Sequence, residues 1–301
     1  MDINKVIAEL DWTRKPKGLY EPIGYTLSAG GKRLRPKLCV LGAEMFGDEN
    51  EDENVRHAAL ALEIFHNFTL LHDDVMDHSA LRRGRETVWK RWNEQTAILS
   101  GDQMMIEAYK QLAAISPKYL PEVMVVFNRM AQDICEGQQL DMDFESREDV
   151  TEEEYIAMIG GKTSALPAAA LQLGAMLAGA TEAEQKTIYD VGYKIGLAFQ
   201  IQDDILDVYG DEATFGKPIG GDIREGKKTL MRIRAEKQGK ITSYDVAEVT
   251  ALYNERGVRQ QCEQVMRSYT EEALRLLERL PKNAASQELA ALAKSLTERK
   301  L

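Results

Sequence analysis

The sequence predicts an all-α protein, on three observations. Only 8 of its 301 residues are proline, about half the usual ~5 % share, and the intervals 37–116, 122–166 and 219–280 contain none. Apolar residues recur at helical spacing over long runs. No series of strand length alternates convincingly between apolar and polar residues, so no parallel sheet is expected. An apolar share of 44 % suffices for a substantial core.

In chain order, long amphipathic helices are expected through Val55, Ala58, Ala59, Leu62, Phe65 and Thr69, then through Ile188, Val191, Ile195, Ala198 and Gln202, and again from Cys262 to Leu280. The uncharged stretch 163–181 approaches the length of a membrane span, but Pro167 and Gln172 interrupt it. Its small residues Ala165, Ala169, Gly174 and Ala178 read as places where neighbouring helices come close. Breaks are expected at Ser28-Ala29-Gly30-Gly31, Phe46-Gly47-Asp48, Ser116-Pro117, Gly160-Gly161 and Gly210-Asp211, and 210–228, with five glycines and Pro218, reads as a functional loop. No Ser/Pro-rich linker divides the chain, so a single domain over 1–301 is expected.

The balance of 38 basic against 49 acidic residues, a net charge of -11, argues against non-specific nucleic-acid binding. An anionic substrate would then need metal ions or local basic clusters. Cys39, Cys135 and Cys262 are odd in number and scattered, which indicates neither a disulfide framework nor a zinc site and fits a reducing compartment. The charged N-terminus MDINKVIAELDW has no apolar core for a secretion signal, so a cytoplasmic location is expected.

Two aspartate clusters are the strongest chemical signal. His72-Asp73-Asp74-Val75-Met76-Asp77 ends one helical pattern and Gln202-Asp203-Asp204-Ile205-Leu206-Asp207 ends another. On a helix, Asp73 and Asp77, or Asp203 and Asp207, lie one turn apart on one face. Like charges at that spacing cost a few tenths of a kcal/mol, and the macrodipole disfavours anions at a helix C-terminus. A hard divalent cation such as Mg²⁺, which takes one or two carboxylates together with substrate phosphates, compensates both. A single DDxxD also reads as a solvated helix end. Two copies, each behind an apolar helix and an aromatic (Phe68, Phe199), read as a site for a metal-bridged diphosphate.

Cations accompany the glycine breaks. Gly30-Gly31-Lys32-Arg33-Leu34-Arg35-Pro36 places three before a proline able to start a helix, and Arg82-Arg83-Gly84-Arg85 follows the first aspartate cluster. Gly160-Gly161-Lys162-Thr163 opens the Ala-rich helix, while Gly216-Lys217 and Gly226-Lys227-Lys228-Thr229 bracket the long loop. Arginine forks, lysine point charges and helix N-termini all suit phosphate oxygens, although any one cluster alone also reads as solvated surface. A nucleotide P-loop fits poorly: Ile156 stands where its first glycine belongs, and Lys228 replaces the Ser or Thr after Gly226-Lys227.

Taken together, GGKRLRP (30–36), HNFTLLHDDVMD (66–77), LRRG (81–84), GGKTS (160–164), FQIQDDILD (199–207), GKPIGGD (216–222) and GKKT (226–229) resemble the trans-isoprenyl diphosphate synthases, or polyprenyl synthetases. The resemblance implies the all-α isoprenoid synthase fold: helices around a central substrate cavity, usually as a homodimer, with the aspartate motifs facing across its mouth. It implies that Asp73, Asp77 and Asp203 hold Mg²⁺, three ions in all, against an allylic diphosphate. Asp74, Asp204 and Asp207 would support them, Asp207 as a further ligand. Arg82, Lys162 and Lys217 would clamp the same diphosphate, whereas Lys32, Arg35, His66 and Arg83 would hold isopentenyl diphosphate. Thr163 and Gln200 would line the reacting carbons, and Lys227 would serve the closing loop. His66 taken alone reads as a packed helix histidine.

That family's reaction is ionisation, condensation and elimination. The allylic C–O bond breaks, the isopentenyl double bond attacks the cation, and a proton leaves. No protein nucleophile is required, and no Ser/His or Cys/His constellation is recognisable. Phe68, one and a half turns before Asp73, would floor the cavity, with the smaller Thr69 leaving some room, so a C15–C20 product is expected, geranylgeranyl ahead of farnesyl. The absence of an insertion between Asp74 and Asp77 weakens a farnesyl assignment, and Glu86 stands where many relatives have proline. A longer-chain synthase, a class I terpene cyclase and a non-catalytic partner subunit are the alternatives.

Overall fold

The computed structural model describes residues 3–47, 53–210 and 219–297. Helix follows helix: α1 (Ile3–Ala8), α2 (Lys17–Leu27), α3 (Leu34–Phe46) and α4 (Glu53–Met76), then a two-residue hairpin of β1 (Leu81–Arg82) and β2 (Arg85–Glu86). After it come α5 (Val88–Arg91), α6 (Glu94–Ala113), α7 (Leu120–Glu145), α8 (Glu152–Ile159), a π-helical turn at Gly160–Ser164, α9 (Ala165–Leu177) and α10 (Glu182–Tyr209). The chain closes with α11 (Gly221–Glu225), α12 (Leu230–Glu236), α13 (Val246–Glu255), α14 (Val258–Leu277) and α15 (Ala284–Thr297). Side-chain caps start several of them. Asn93 accepts from the Thr96 N–H, Thr151 and Glu154 form a reciprocal capping box, and Asp245 accepts from the Glu248 N–H; each is worth about 1 kcal/mol. No described helix is long and apolar enough to cross a membrane.

Two compact units emerge: Met1–Phe127 with Ala170–Glu182, and Asn128–Ala169 with Ala183–Leu301. In the first, α4 is buried on every side from Ala58 to Asn67, as a helix apolar all round its middle must be, and it packs on α3 and α6. Helix α3 also meets the second half of α9. A Cβ at Gly174 would collide with the Cys39 carbonyl, and one at Gly42 with the Leu171 carbonyl. The close approach expected of the small residues in 163–181 is therefore real at Gly174. The second unit closes around Phe144, Tyr155, Ile201, Ile205, Met231 and Tyr253.

One expected break is corrected. Gly160-Gly161 does not interrupt the chain: helix continues from Glu152 to Leu177, with Gly160 at φ -60 and a single π turn over Gly160–Ser164. These glycines serve proximity. A Cβ at Gly160 would strike the Tyr193 hydroxyl, one at Gly161 the Asp133 carbonyl on α7, and one at the opposing Gly137 the Lys162 backbone. Glycine is compatible with a helix at a cost of about 1 kcal/mol, and here the reward is contact between main chains.

Substituting Gly174→Ala should lower stability by about 1–3 kcal/mol through overpacking, read as a drop in the midpoint of thermal unfolding. An unchanged midpoint would mean that α3 and α9 are not held at this distance.

Candidate active site

In the first unit, the last turn of α4 carries one aspartate cluster. The Asp77 N–H donates to the Asp73 carbonyl at 2.8 Å, so the two side chains lie one turn apart as expected. Asp73 is half-buried and Asp77 exposed. Asp74 turns inward and is 4 % exposed; Arg82 Nε donates to it at 2.7 Å and Arg82 Nη2 reaches Asp73 at 3.5 Å. Burial pushes the Asp74 carboxyl up to about 6 in spite of Arg82.

Arg82 and Arg85 pair across the hairpin, and the residues between them, Arg83 and Gly84, have φ of 53 and 73. Two successive positive φ values are those of a type I′ turn, which explains the glycine. The Arg83 guanidinium reaches the Gly30 carbonyl and lies against Gly31. In that facing segment Lys32 is exposed, Arg33 is buried, and Arg35 keeps a buried Nε with no hydrogen-bond partner. His66 is 8 % exposed. Burial, reinforced by Arg35, Arg83, Arg82 and Arg33, holds its pKa well below the ordinary value. In the free protein the imidazole is therefore neutral. Arg33, Arg35, Arg82, Arg83 and His66, from three separate sequence segments, thus lie close enough to influence one another. Phe68 stacks edgewise on Phe65 at 5.2 Å and on His72 at 4.7 Å, and the Thr69 hydroxyl donates to the His66 carbonyl.

In the second unit, a chain of hydrogen bonds runs across α8, the π turn and α10. The Thr163 hydroxyl donates to Gln200 Oε1 at 2.9 Å and Gln200 Nε2 donates to Asp204 Oδ1 at 2.8 Å. The Tyr155 hydroxyl donates to Asp204 Oδ2 at 2.6 Å. With its proton directed at Gln200, Thr163 has lone pairs left to offer a substrate. Gly196 makes the approach possible, since a Cβ there would meet Ser164. Asp203 is half-buried. Lys162 pairs with Asp141 of α7. Asp207 accepts the N–H groups of Gly221 at 3.2 Å and Asp222 at 3.0 Å, so it holds the start of α11. Lys227 reaches Glu225 at 3.2 Å and Asp222 at 4.0 Å. Lys217 lies outside the described residues.

Tyr155, Asp141 and Asp222 take part in these contacts and were not singled out as site residues by sequence. Tyr155 is the most accessible omission: it stands two helical turns before Lys162, a relation the supposed break at Gly160-Gly161 conceals.

No three His, Cys, Asp or Glu side chains among the described residues are gathered tightly enough to hold a metal by themselves. The oxygen donors still suit a hard divalent ion that retains water and shares phosphate oxygens. Burial and neighbouring carboxylates push Asp204 well up and Asp222 up to about 7. These carboxyls ionise reluctantly because too little positive charge lies beside them, and a bound cation would supply it; the donor set fits one.

A raised carboxyl pKa means that the folded state holds its proton longer than the unfolded state, so stability is lost as pH rises from the unfolded value toward the folded one. For Asp222 that window runs from 3.8 to about 7. In EDTA, wild type should therefore lose stability relative to Asp222→Asn between those limits. Parallel unfolding midpoints across pH 4–8 would contradict the assignment.

The family model of the polyprenyl synthetases matches residues 16–270. The geranylgeranyl diphosphate synthase of Methanosarcina mazei is 42 % identical over 260 residues, covering 85 % of this chain and 80 % of that protein. The geranylfarnesyl diphosphate synthase of Natronomonas pharaonis is 38 % identical over 257 residues, 79 % of this chain and 74 % of that protein. The crystal structure of geranylgeranyl pyrophosphate synthetase from Pyrococcus horikoshii Ot3 superposes with a TM-score of 0.92 at 35 % identity, covering 99 % of this chain and 95 % of that one. With its helices, paired DDxxD clusters and cation-bearing turns thus accounted for, the chain belongs to the polyprenyl synthetase family, with the all-α isoprenoid synthase fold.

Proposed function

We propose that the protein is a short-chain trans-prenyltransferase that condenses isopentenyl diphosphate with dimethylallyl, geranyl or farnesyl diphosphate, releasing pyrophosphate, with geranylgeranyl diphosphate as the main product. The observation that carries the reading is the convergence, in the first unit, of a DDxxD helix end with the cations of two glycine turns and His66, together with a second DDxxD helix end in the other unit whose Asp207 feels Lys227. Likeness to geranylgeranyl synthases over 85 % and 99 % of the chain supports it.

Asp73, Asp77 and Asp203, with Asp207, are the carboxylates we assign to Mg²⁺. Each Asp207 oxygen accepts one backbone N–H, from Gly221 and Asp222, and a carboxylate oxygen has a further lone pair for a metal. Bound Mg²⁺, three ions in this reading, supplies Lewis-acid stabilisation of the departing pyrophosphate. Arg82, Lys162 and Lys217 hold the allylic diphosphate, Arg82 and Lys162 exchanging aspartate partners for phosphate oxygens. Lys227 steadies the loop after Asp207. Lys32, Arg35, Arg83 and His66 hold isopentenyl diphosphate. As the allylic bond breaks, the Thr163 oxygen and the carbonyl end of Gln200 present negative dipole ends to the carbocation. The isopentenyl double bond adds, and the proton leaves to pyrophosphate or a nearby acceptor.

A terpene cyclase has no use for the Gly30–Pro36 cations, and the second motif remains DDILD. A silent partner subunit is disfavoured by two intact motifs. The family match spans both units, which supports one functional domain over 1–301. A homodimer is the assembly we favour: Ile98, Leu99 and Ile106 of α6 are 43–59 % exposed, an apolar row suited to a second copy. Three free cysteines, two of them buried, support a reducing, cytoplasmic setting.

With labelled isopentenyl diphosphate, Mg²⁺ and each allylic primer, wild type should elongate the primer. Asp73→Asn with Asp77→Asn should lower turnover at least about 1,000-fold, some 4 kcal/mol of barrier; product formation near wild type would refute the ligand assignment. In the same assay Phe68→Ala should shift products beyond C20, and an unchanged distribution would remove Phe68 from the cavity floor.

A further inference from the structure

Of the three cations between Gly30 and Pro36, Lys32 is exposed, Arg35 half-buried and Arg33 the most deeply buried. Its side chain is 6 % exposed and pairs through Nη1 with Glu63 Oε1 at 2.5 Å, the glutamate being 2 % exposed. Nη2 donates to the Leu27 carbonyl at 2.6 Å and Nε to Asn4 Oδ1 at 3.2 Å. Asn67 Nδ2 donates to the same Glu63 oxygen at 3.0 Å. A guanidinium anchored in this way presents its fork to protein and not to a diphosphate.

The backbone of Arg33 is as unusual as its burial. It sits at φ 46, ψ 43, immediately before α3, a left-handed conformation that side chains other than Gly, Asn and Asp rarely adopt. Such strain persists where the surroundings over-determine it, and it clusters at ligand clamps. The three anchors of the guanidinium provide that determination. Lys32 and Arg35 stand on either side of the strained residue, so its φ and ψ set the direction of both. His66 lies three residues beyond Glu63, on the same face of α4, so one glutamate ties the turn to the helix that presents the histidine.

We propose that Arg33 is a positioning residue: its buried ion pair with Glu63, supported by Asn67, holds the left-handed turn that aims Lys32 and Arg35, and so sets the affinity for isopentenyl diphosphate without touching it. This rests on the reading that Lys32, Arg35, His66 and Arg83 form the isopentenyl diphosphate subsite.

The test is steady-state kinetics on Arg33→Met/Glu63→Gln, which leaves no buried charge unpaired, on Glu63→Gln alone and on Arg35→Ala, with thermal melts of each. The double variant should fold and raise KM for isopentenyl diphosphate about 10- to 100-fold, the range a small misplacement of positioning groups produces, while KM for farnesyl diphosphate stays within about 2-fold. Glu63→Gln should show the same split in weaker form and serves if the double variant fails to fold. Arg33→Lys should not restore the wild-type KM, because an ammonium lacks the planar fork. A folded variant with wild-type KM for isopentenyl diphosphate, or with both KM values raised alike, overturns the proposal. Arg35→Ala separates the two levels: if it leaves KM for isopentenyl diphosphate unchanged, the subsite reading itself falls.

Discussion

Carboxylates gathered at helix C-termini, where their own backbone opposes them, are the constraint around which both units are organised. The first unit answers with guanidiniums: Arg82 closes on Asp74, and Arg83 brings the Gly30–Arg33 turn to the same place. The second answers with backbone and phenol: α11 spends N–H groups on Asp207, and Tyr155 and Gln200 satisfy Asp204. Neither answer neutralises everything, as the elevated carboxyls of Asp74, Asp204 and Asp222 show. What remains is an appetite for cations, kept at the cost of stability in the free protein.

Electrostatic work is divided among side chains that look alike in a list. Asp73 and Asp77 stay near solvent while Asp74 between them is sequestered. Thr163, Gln200 and Tyr155 form one network whose donors converge on Asp204, Thr163 by way of Gln200 and Tyr155 directly. Such preorganised dipoles need no rearrangement when charge develops, the usual source of large catalytic effects.

The helical class, the long helices α4 and α10 and both aspartate clusters were legible in the sequence, because each rests on local periodicity or repetition. What escaped depends on tertiary proximity. Gly160-Gly161 looks like punctuation, yet its glycines answer to Asp133, Gly137 and Tyr193, which no window around them contains. Arg83-Gly84 reads as one more basic cluster, and only the φ values reveal a hairpin turn. Asp141 and Glu63 carry no local mark, since their partners lie 21 and 30 residues away. Burial, not composition, decides that Arg33 and His66 behave unlike the surface cations beside them.

The π-helical turn at Gly160–Ser164 has a bearing on how this chain tolerates change in length. Such a turn holds one residue more than an α-helical turn would, so removing any one residue from it would let the helix run on as regular α. The helical segments on either side would keep their facing, because the wide turn had absorbed the extra residue, while Lys162 and Thr163 within it would lose the positions from which they reach Asp141 and Gln200. A deletion invisible to helix content would thus act on these two side chains alone and leave the flanking helices in phase.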